Sequence, residues 1–168
     1  MVHIREEAPG DREAVREVNR LAFGSDAEAD LVDRLCLEHH IIVSLVAVEG
    51  YDIVGHILFS ELPIETEKRP IRGAALAPMA VRPDRQRKGI GSALVNKGLE
   101  ICRQRRVEAV VVLGHVDYYP RFGFSPSKAR KLRAPFSGNA FMALEISPGA
   151  LDVKVGTVRY PPAFGLAG

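Results

Sequence analysis

The feature that most constrains this chain is a change of hydrophobic period at Gly89. Residues 74–82 are rich in apolar side chains and predict a strand, which Pro83 and Asp84 end. From Gly89 onward the apolar residues recur every three or four positions, as on one face of a helix. The residues on that face are Ile90, Leu94, Val95, Gly98, Leu99, Ile101 and Cys102. A strand, a basic turn with glycines and a long helix therefore follow one another, so the fold contains both sheet and helix.

The rest of the chain predicts short strands, with two amphipathic helices near its beginning. Predicted strands lie at residues 3–5, 42–49, 53–62, 107–113 and 141–146, and predicted helices at residues 12–23 and from residue 25 or 26 to 36. A helical turn is expected at residues 117–122, and loops at residues 63–70 and 128–133. Three successive strands before the long helix favour a mixed sheet, so the predicted fold class is α/β (α+β).

Length and composition are those of one globular domain. The chain has 168 residues, of which 46% are hydrophobic and 26% charged, so a disordered protein is excluded. We predict one domain over residues 1–168, in which residues 147–168 form an extended segment packed on the remainder. The net charge of +2 is too small to bind nucleic acid through bulk electrostatics. No apolar run approaches the ~20 residues that a membrane span needs, so no membrane partner is expected.

The cysteines and the beginning of the chain predict a reducing compartment. Cys36 and Cys102 are far apart, with no CxxC motif and no histidine at metal-ligand spacing, so we expect buried free thiols and no metal site. The first seven residues lack the apolar segment of a secretion signal. These observations predict a cytoplasmic protein.

The basic turn itself indicates a phosphate site. It combines glycines with positive charge at the start of a helix, where free backbone N–H groups and the helix dipole bind anions. A Walker loop needs a lysine after the glycine, whereas Lys88 precedes Gly89; a dinucleotide fingerprint needs a third glycine where Leu94 stands. The pattern that is matched throughout is Q-x-x-G-x-G, in Gln86-Arg87-Lys88-Gly89-Ile90-Gly91.

With this hexapeptide the chain resembles the GCN5-related N-acetyltransferase (GNAT) superfamily, whose pyrophosphate signature it is. The resemblance extends to residue 146 and is strongest to small bacterial acetyltransferases of the YhbS type. The stretches that carry it are Leu76-Ala77-Pro78-Met79-Ala80-Val81, Tyr118-Tyr119-Pro120-Arg121-Phe122-Gly123-Phe124 and Ala143-Leu144-Glu145-Ile146. The resemblance implies a three-layer fold whose mixed, mostly antiparallel sheet is splayed between its fourth and fifth strands, with helices on both faces.

The resemblance also implies the reaction, which is transfer of an acetyl group from acetyl-CoA to a primary amine by direct attack in a ternary complex. The residues it assigns to the cofactor are Met79, Ala80 and Val81 along the pantetheine arm, and Gln86, Arg87, Lys88, Gly89, Ile90, Gly91 and Ser92 around the pyrophosphate. Pro78 agrees with this assignment because proline cannot donate to a ladder and belongs at an edge or bulge, where pairing with the next strand is lost.

The catalytic residues are less constrained than the cofactor residues. Tyr119 matches the general acid of the superfamily's Y-x-x-x-G-F motif, and Tyr118 is its neighbouring competitor. Glu61 and His115 are candidates for a general base, although ordered water could serve instead. Val112 stands where the family's usual pattern has asparagine, so that contact to pantetheine is not available.

The sequence alone is compatible with two hypotheses of function. The first is the N-acetyltransferase; the second is a module that binds acyl-CoA as a sensor or regulator without turnover. Neither the amine acceptor, which could be a small molecule, a peptide or a protein, nor the choice between monomer and homodimer follows from the sequence.

Overall fold

The computed structural model describes residues 1–166 and shows a mixed sheet with helices on both faces. The strands are β1 (Val2–Glu6), β2 (Ile41–Glu49), β3 (Asp52–Thr66), β4 (Ile71–Val81), β5 (Ala109–Leu113), β6 (Leu132–Arg133), β7 (Phe141–Glu145) and β8 (Gly156–Val158). The helices are α1 (Arg12–Phe23), α2 (Ala27–Leu37), α3 (Ile90–Gln104) and α4 (Pro126–Ala129). The predicted α/β class is confirmed.

The sheet follows the order β1-β2-β3-β4-β5-β7, with β8 paired to both β3 and β6. All neighbouring strands are antiparallel except β4 with β5 and β6 with β8. The one parallel step in the main path therefore falls between the strand that enters the basic turn and the strand that follows α3. This arrangement is the mixed, mostly antiparallel sheet that the sequence predicts.

Strands β4 and β5 separate along much of their length. They pair only from Gly73 to Ala75, opposite Ala109 to Val111, while β4 continues to Val81. On its other edge β4 carries a bulge, since Met79 lies opposite Ile57 but Leu76 lies opposite Phe59. The extra residue lies at Ala77–Pro78, so the predicted bulge and the predicted loss of pairing are both confirmed.

The core is divided between the two faces of the sheet. On one face α3 packs Leu94, Val95 and Cys102 against Ile57 and Phe59. On the other face α1 and α2 are in contact with the sheet through a second cluster, which comprises Val15, Val32, Leu35, Val46, Leu58 and Ala163. A Cβ atom at Gly98 would overlap the Phe59 ring, which explains a glycine in the middle of α3.

Two segments predicted as loops are partly ordered into strands and a helix. Strand β3 runs on to Thr66, because Leu62 and Ile64 are buried while Pro63 and Glu65 are exposed. Its end pairs with β8, so the predicted extended tail contributes a strand. The predicted loop at 128–133 contains the end of α4 and all of β6. Residues 167 and 168 of the predicted tail lie outside the described residues.

The two cysteines differ in their surroundings. Both are free, as predicted, but Cys36 is exposed, so its predicted burial is wrong: it lies on the solvent side of α2. Burial raises the pKa of the Cys102 thiol to about 12. Within residues 1–166 no helix combines the length and hydrophobicity of a membrane span. In the same part of the chain no three acidic, histidine or cysteine side chains are grouped as metal ligands.

Candidate active site

The separation of β4 from β5 opens a cleft of about 720 Å³ beside the first turn of α3. One side, here called the turn wall, consists of residues 79–81 and the turn at 86–92. The opposite side, the tyrosine wall, consists of His115, Tyr118 and Arg121. The full lining is Ala22, Phe23, Met79, Ala80, Val81, Arg85, Gln86, Arg87, Gly89, Ile90, Gly91, Ser92, His115, Tyr118 and Arg121.

The turn wall presents backbone N–H groups to the cleft. Gly89 caps α3 with φ 83°, and Arg87 also has a positive φ of 63°. The first intrahelical bond runs from the N–H of Ala93 to the Gly89 carbonyl at 3.0 Å, so the N–H groups of residues 90–92 have no acceptor within the helix. Alternation of left- and right-handed residues makes a concave array of N–H groups that suits an anion. The Gln86 side chain donates to the Val81 carbonyl at 3.0 Å and ties the turn to the end of β4.

The cationic side chains of the cleft are not equally available. Arg85 is paired with Glu49 at 3.0 Å and with Asp84 at 3.1 Å. Asp84 also accepts from Arg82, and this hydrogen bond lowers the pKa of Asp84 to about 2. Arg87 and Arg121 have no carboxylate within salt-bridge distance among residues 1–166. Of the sequence-predicted pyrophosphate residues, Lys88 alone does not line the cleft.

The two adjacent tyrosines point to different places. The Tyr118 hydroxyl is 3.1 Å from Ser92 Oγ, in the first turn of α3. A Cβ atom at Gly91 would lie 3.1 Å from the same hydroxyl, so the two walls are in close contact at this glycine. Tyr119 is 6% exposed and packs edge-on against Phe124 at 5.8 Å between ring centroids. Burial raises the pKa of Tyr119 to about 12.

The two candidate bases are separated in the structure. His115 lines the cleft on the tyrosine wall, two residues beyond the end of β5. Glu61 lies on β3 opposite Ala74, is exposed, and faces Arg72 at 4.0 Å. The structure therefore brings His115 together with Tyr118 and the turn, and it leaves both Glu61 and Tyr119 out of the cleft lining.

A buried polar chain holds α1 against the sheet. Asn19 Nδ2 donates to the Val15 carbonyl at 3.0 Å and lies 3.2 Å from Nδ1 of His56. The other ring nitrogen of His56 is 2.9 Å from Ser44 Oγ, which donates to Glu7 at 2.6 Å. Complete burial, with a smaller effect of Arg12, lowers the pKa of His56 to about 3. The ring is therefore neutral: Nδ1 accepts from Asn19 and Nε2–H donates to Ser44.

Three lining residues are not among the predicted cofactor and catalytic residues. Ala22 and Phe23 reach the cleft from the last turn of α1, and Phe23 is 44% exposed. Their only sequence signal is an apolar pair at a helix end. Arg121 lies within the Y-x-x-x-G-F stretch, where the motif leaves its position unspecified. Its guanidinium carbon is 4.7 Å from the centre of the Tyr118 ring.

Two curated relatives share the sequence over most of its length. The chain is 38% identical over 131 residues to the uncharacterized N-acetyltransferase YjhQ of Escherichia coli K12, covering 77% of this chain and 71% of YjhQ. It is 32% identical over 164 residues to the uncharacterized N-acetyltransferase YhbS of the same strain, covering 96% of this chain and 97% of YhbS.

Solved structures extend the likeness to the fold. The crystal structure of E. coli YhbS in complex with CoA has a TM-score of 0.88 and 30% identity, over 99% of this chain and 93% of that one. A GNAT family acetyltransferase of Brucella melitensis in complex with acetyl-CoA has a TM-score of 0.79 and 34% identity, over 98% of both chains.

The family model agrees with both likenesses and with the geometry of the cleft. Residues 12–124, which run from the start of α1 past the tyrosine wall, match the model described as Acetyltransferase (GNAT) family. The resemblance carried by Q-x-x-G-x-G is thereby confirmed, and the protein belongs to the GNAT acetyltransferase family and is similar to YhbS.

Proposed function

We propose that this protein transfers the acetyl group of acetyl-CoA to a primary amine by direct attack in a ternary complex. The observation that carries the proposal is the gap between β4 and β5, which ends at an array of free N–H groups. Its free N–H groups and its arginines suit an extended thiol carrier with a diphosphate. The similar proteins YhbS and the Brucella acetyltransferase are described in complex with CoA and acetyl-CoA.

The turn wall forms the proposed cofactor-binding site. We place the diphosphate against the N–H groups of residues 89–92, with Arg87 and Lys88 adding charge. We place the pantetheine arm along residues 79–81 of β4, whose edge toward β5 lacks a partner strand. A ligand there can pair with β4 through main-chain hydrogen bonds, as an added strand would.

The proposed reaction needs an electrophile, a proton acceptor and a proton donor. The amine nitrogen forms a bond to the thioester carbon, the carbonyl oxygen becomes negative, and a backbone N–H of β4 stabilises that charge. The C–S bond then breaks, the thiolate takes a proton, and the amine nitrogen loses one. We propose His115 or water as acceptor of the amine proton, since Glu61 lies outside the cleft.

We propose Tyr119 as the proton donor to sulfur from its match to the family motif alone; its buried side chain is not among those that line the cleft. With a pKa raised to about 12 by burial, the phenol is protonated at neutral pH, as an ordinary tyrosine also is. Tyr118, whose hydroxyl already contacts Ser92, is the alternative donor.

Two free cysteines agree with a reducing compartment, and we propose that the protein is cytoplasmic.

Turnover and binding together test the proposal. The purified protein is incubated with acetyl-CoA and a panel of primary amines, thiol release is followed spectroscopically, and the acetylated amine is identified by mass spectrometry. We expect thiol release that depends on the amine, with one acetyl group transferred per thiol. Calorimetric CoA binding without thiol release from any amine would instead indicate the non-catalytic acyl-CoA module.

A further inference from the structure

We propose that Arg121, stacked on Tyr118, is a phosphate ligand of the cofactor and acts from the tyrosine wall, opposite the glycine turn. This inference rests on the proposed function, because it assumes that the cleft binds CoA. It adds a side-chain contact from the wall opposite the backbone N–H groups and Arg87. It also gives the Tyr118 ring a role that differs from proton transfer.

Availability of charge is the first observation. The cleft is lined by three arginines, of which Arg85 is held by two carboxylates, Glu49 and Asp84. Arg87 and Arg121 are exposed and make no ion pair within residues 1–166. Arg87 lies on the turn wall, so Arg121 is the cation that the opposite wall contributes.

Position is the second observation. Tyr118 links Arg121 to the first turn of α3, since its hydroxyl is 3.1 Å from Ser92 Oγ and its ring centre 4.7 Å from the guanidinium carbon. The guanidinium is therefore held one tyrosine ring away from the N–H groups that face the proposed diphosphate. A stacked guanidinium loses less conformational freedom on binding than a free side chain does.

Unused hydrogen-bonding capacity is the third observation. A guanidinium carries five N–H donors, and none of the hydrogen bonds among residues 1–166 uses those of Arg121. A planar guanidinium can donate to two phosphate oxygens at once, and Arg121 is exposed beside the cleft.

Calorimetry with a set of cofactor fragments tests the assignment. Wild type, Arg121→Gln and a control, Arg103→Gln, are titrated with CoA, 3′-dephospho-CoA and pantetheine. Arg103 is exposed in the last turn of α3, away from the cleft lining. We expect Arg121→Gln to weaken CoA binding by about 10- to 100-fold, typical of a charged hydrogen bond, and to leave pantetheine binding unchanged. The control should bind all three as wild type does.

The fragments also distinguish the two phosphate sources. If Arg121 contacts the diphosphate, the loss persists with 3′-dephospho-CoA; if it contacts the 3′-phosphate, the loss disappears with that ligand. Arg121→Lys, which keeps the charge but not the fork, should show an intermediate loss. Tyr118→Ala, which removes the stacking ring, should weaken CoA binding in the same direction as Arg121→Gln.

Three results would overturn the assignment. CoA affinity of Arg121→Gln within twofold of wild type overturns it alone, and so does an equal loss with pantetheine. Absence of CoA binding by the wild type overturns the proposed function as well. Circular dichroism confirms that each variant is folded; if Arg121→Gln is not, the Arg121→Lys titration decides.

Discussion

The two walls of the cleft use different parts of the polypeptide. The turn wall presents backbone N–H groups, which a helix end and positive φ angles at Arg87 and Gly89 orient toward the cleft. The tyrosine wall presents side chains, which project from the segment between β5 and α4. A main-chain site depends on conformation and tolerates changes of side chain, whereas a side-chain site depends on the identity of each residue. Substitutions in the two walls should therefore have different effects.

The largest effect is expected in acid, where both walls should be lost together. The pKa of His56 is about 3 in the folded protein, whereas an unperturbed histidine, as in the unfolded chain, has a pKa of 6.5. Between pH 3 and pH 6.5 the unfolded chain therefore binds one proton more than the folded protein does. Stability from this group is complete above about pH 6.5 and falls as pH decreases toward 3, by several kcal/mol at ~1.4 kcal/mol per unit. Urea melts at intervals of pH measure it.

A variant isolates the contribution of His56 to that acid response. His56→Gln keeps a polar side chain but does not titrate, so its free energy of unfolding should change less between pH 6.5 and 3 than that of wild type. Equal pH dependence in the two proteins would assign the acid sensitivity to other groups.

The next effect separates the two tyrosines. Tyr119→Phe should lower kcat by about a hundredfold or more, as loss of a general acid does, while the CoA Kd stays unchanged. Tyr118→Phe removes the contact with Ser92 and should change the CoA Kd more than kcat. Steady-state kinetics and calorimetry on both variants check the split. Tyr160→Phe, a half-buried phenol in another cluster, serves as the control; the reversed pattern would transfer the acid role to Tyr118.

A smaller effect is expected from the turn wall. Gly89→Val places a β-branched residue at φ 83°, although nothing lies within 4 Å of its Cβ position, so the change acts through backbone conformation alone. We expect CoA affinity to fall by about 30-fold. Gly138 has φ 89° and equally open surroundings outside the cleft, so Gly138→Val should lose stability but keep CoA affinity. Equal affinities in the two valine variants would contradict the role of the turn.

The smallest effect tests whether the walls are independent. Gly91→Ala introduces a methyl group 3.1 Å from the Tyr118 hydroxyl and should separate the walls slightly, weakening CoA binding by about threefold. In Tyr118→Phe that hydroxyl is absent, so the same alanine should cost less. A double-mutant cycle by calorimetry gives the coupling, and strict additivity would show that the walls do not interact.

The turn wall was predictable because its geometry needs particular residue types. A helix beginning at a left-handed residue favours glycine, a phosphate site favours basic residues, and a proline bulge ends strand pairing; Pro78, Arg87 and Gly89 carry those signals. The last part of β3, beyond residue 62, was not predicted because Pro63 and the charged residues after it are typical of a loop. Strand β8 was not predicted because its three residues are too few to show a period.

The tyrosine wall was predictable only in part. The motif identifies Tyr119, but which of two adjacent tyrosines faces the cleft depends on the 3-10 turn at Tyr119–Phe122 and on packing against Phe124. The His56 chain joins residues as distant as Glu7 and Ser44, which no local pattern connects. Alternation along β3 likewise predicts which face of the sheet Glu61 lies on, but it does not predict whether the cleft reaches that residue.

The short ladder between β4 and β5 has a consequence for how the protein responds to its ligand. Three residue pairs join these two strands, so the sheet is nearly divided into one part ending at β4 and another comprising β5 and β7. A thiol carrier bound in the gap between β4 and β5 would contact both parts and hold them together while it is bound. Dissociation of the carrier would then make the sheet less rigid. The melting temperature of the protein would therefore rise with the fraction of molecules that have the carrier bound.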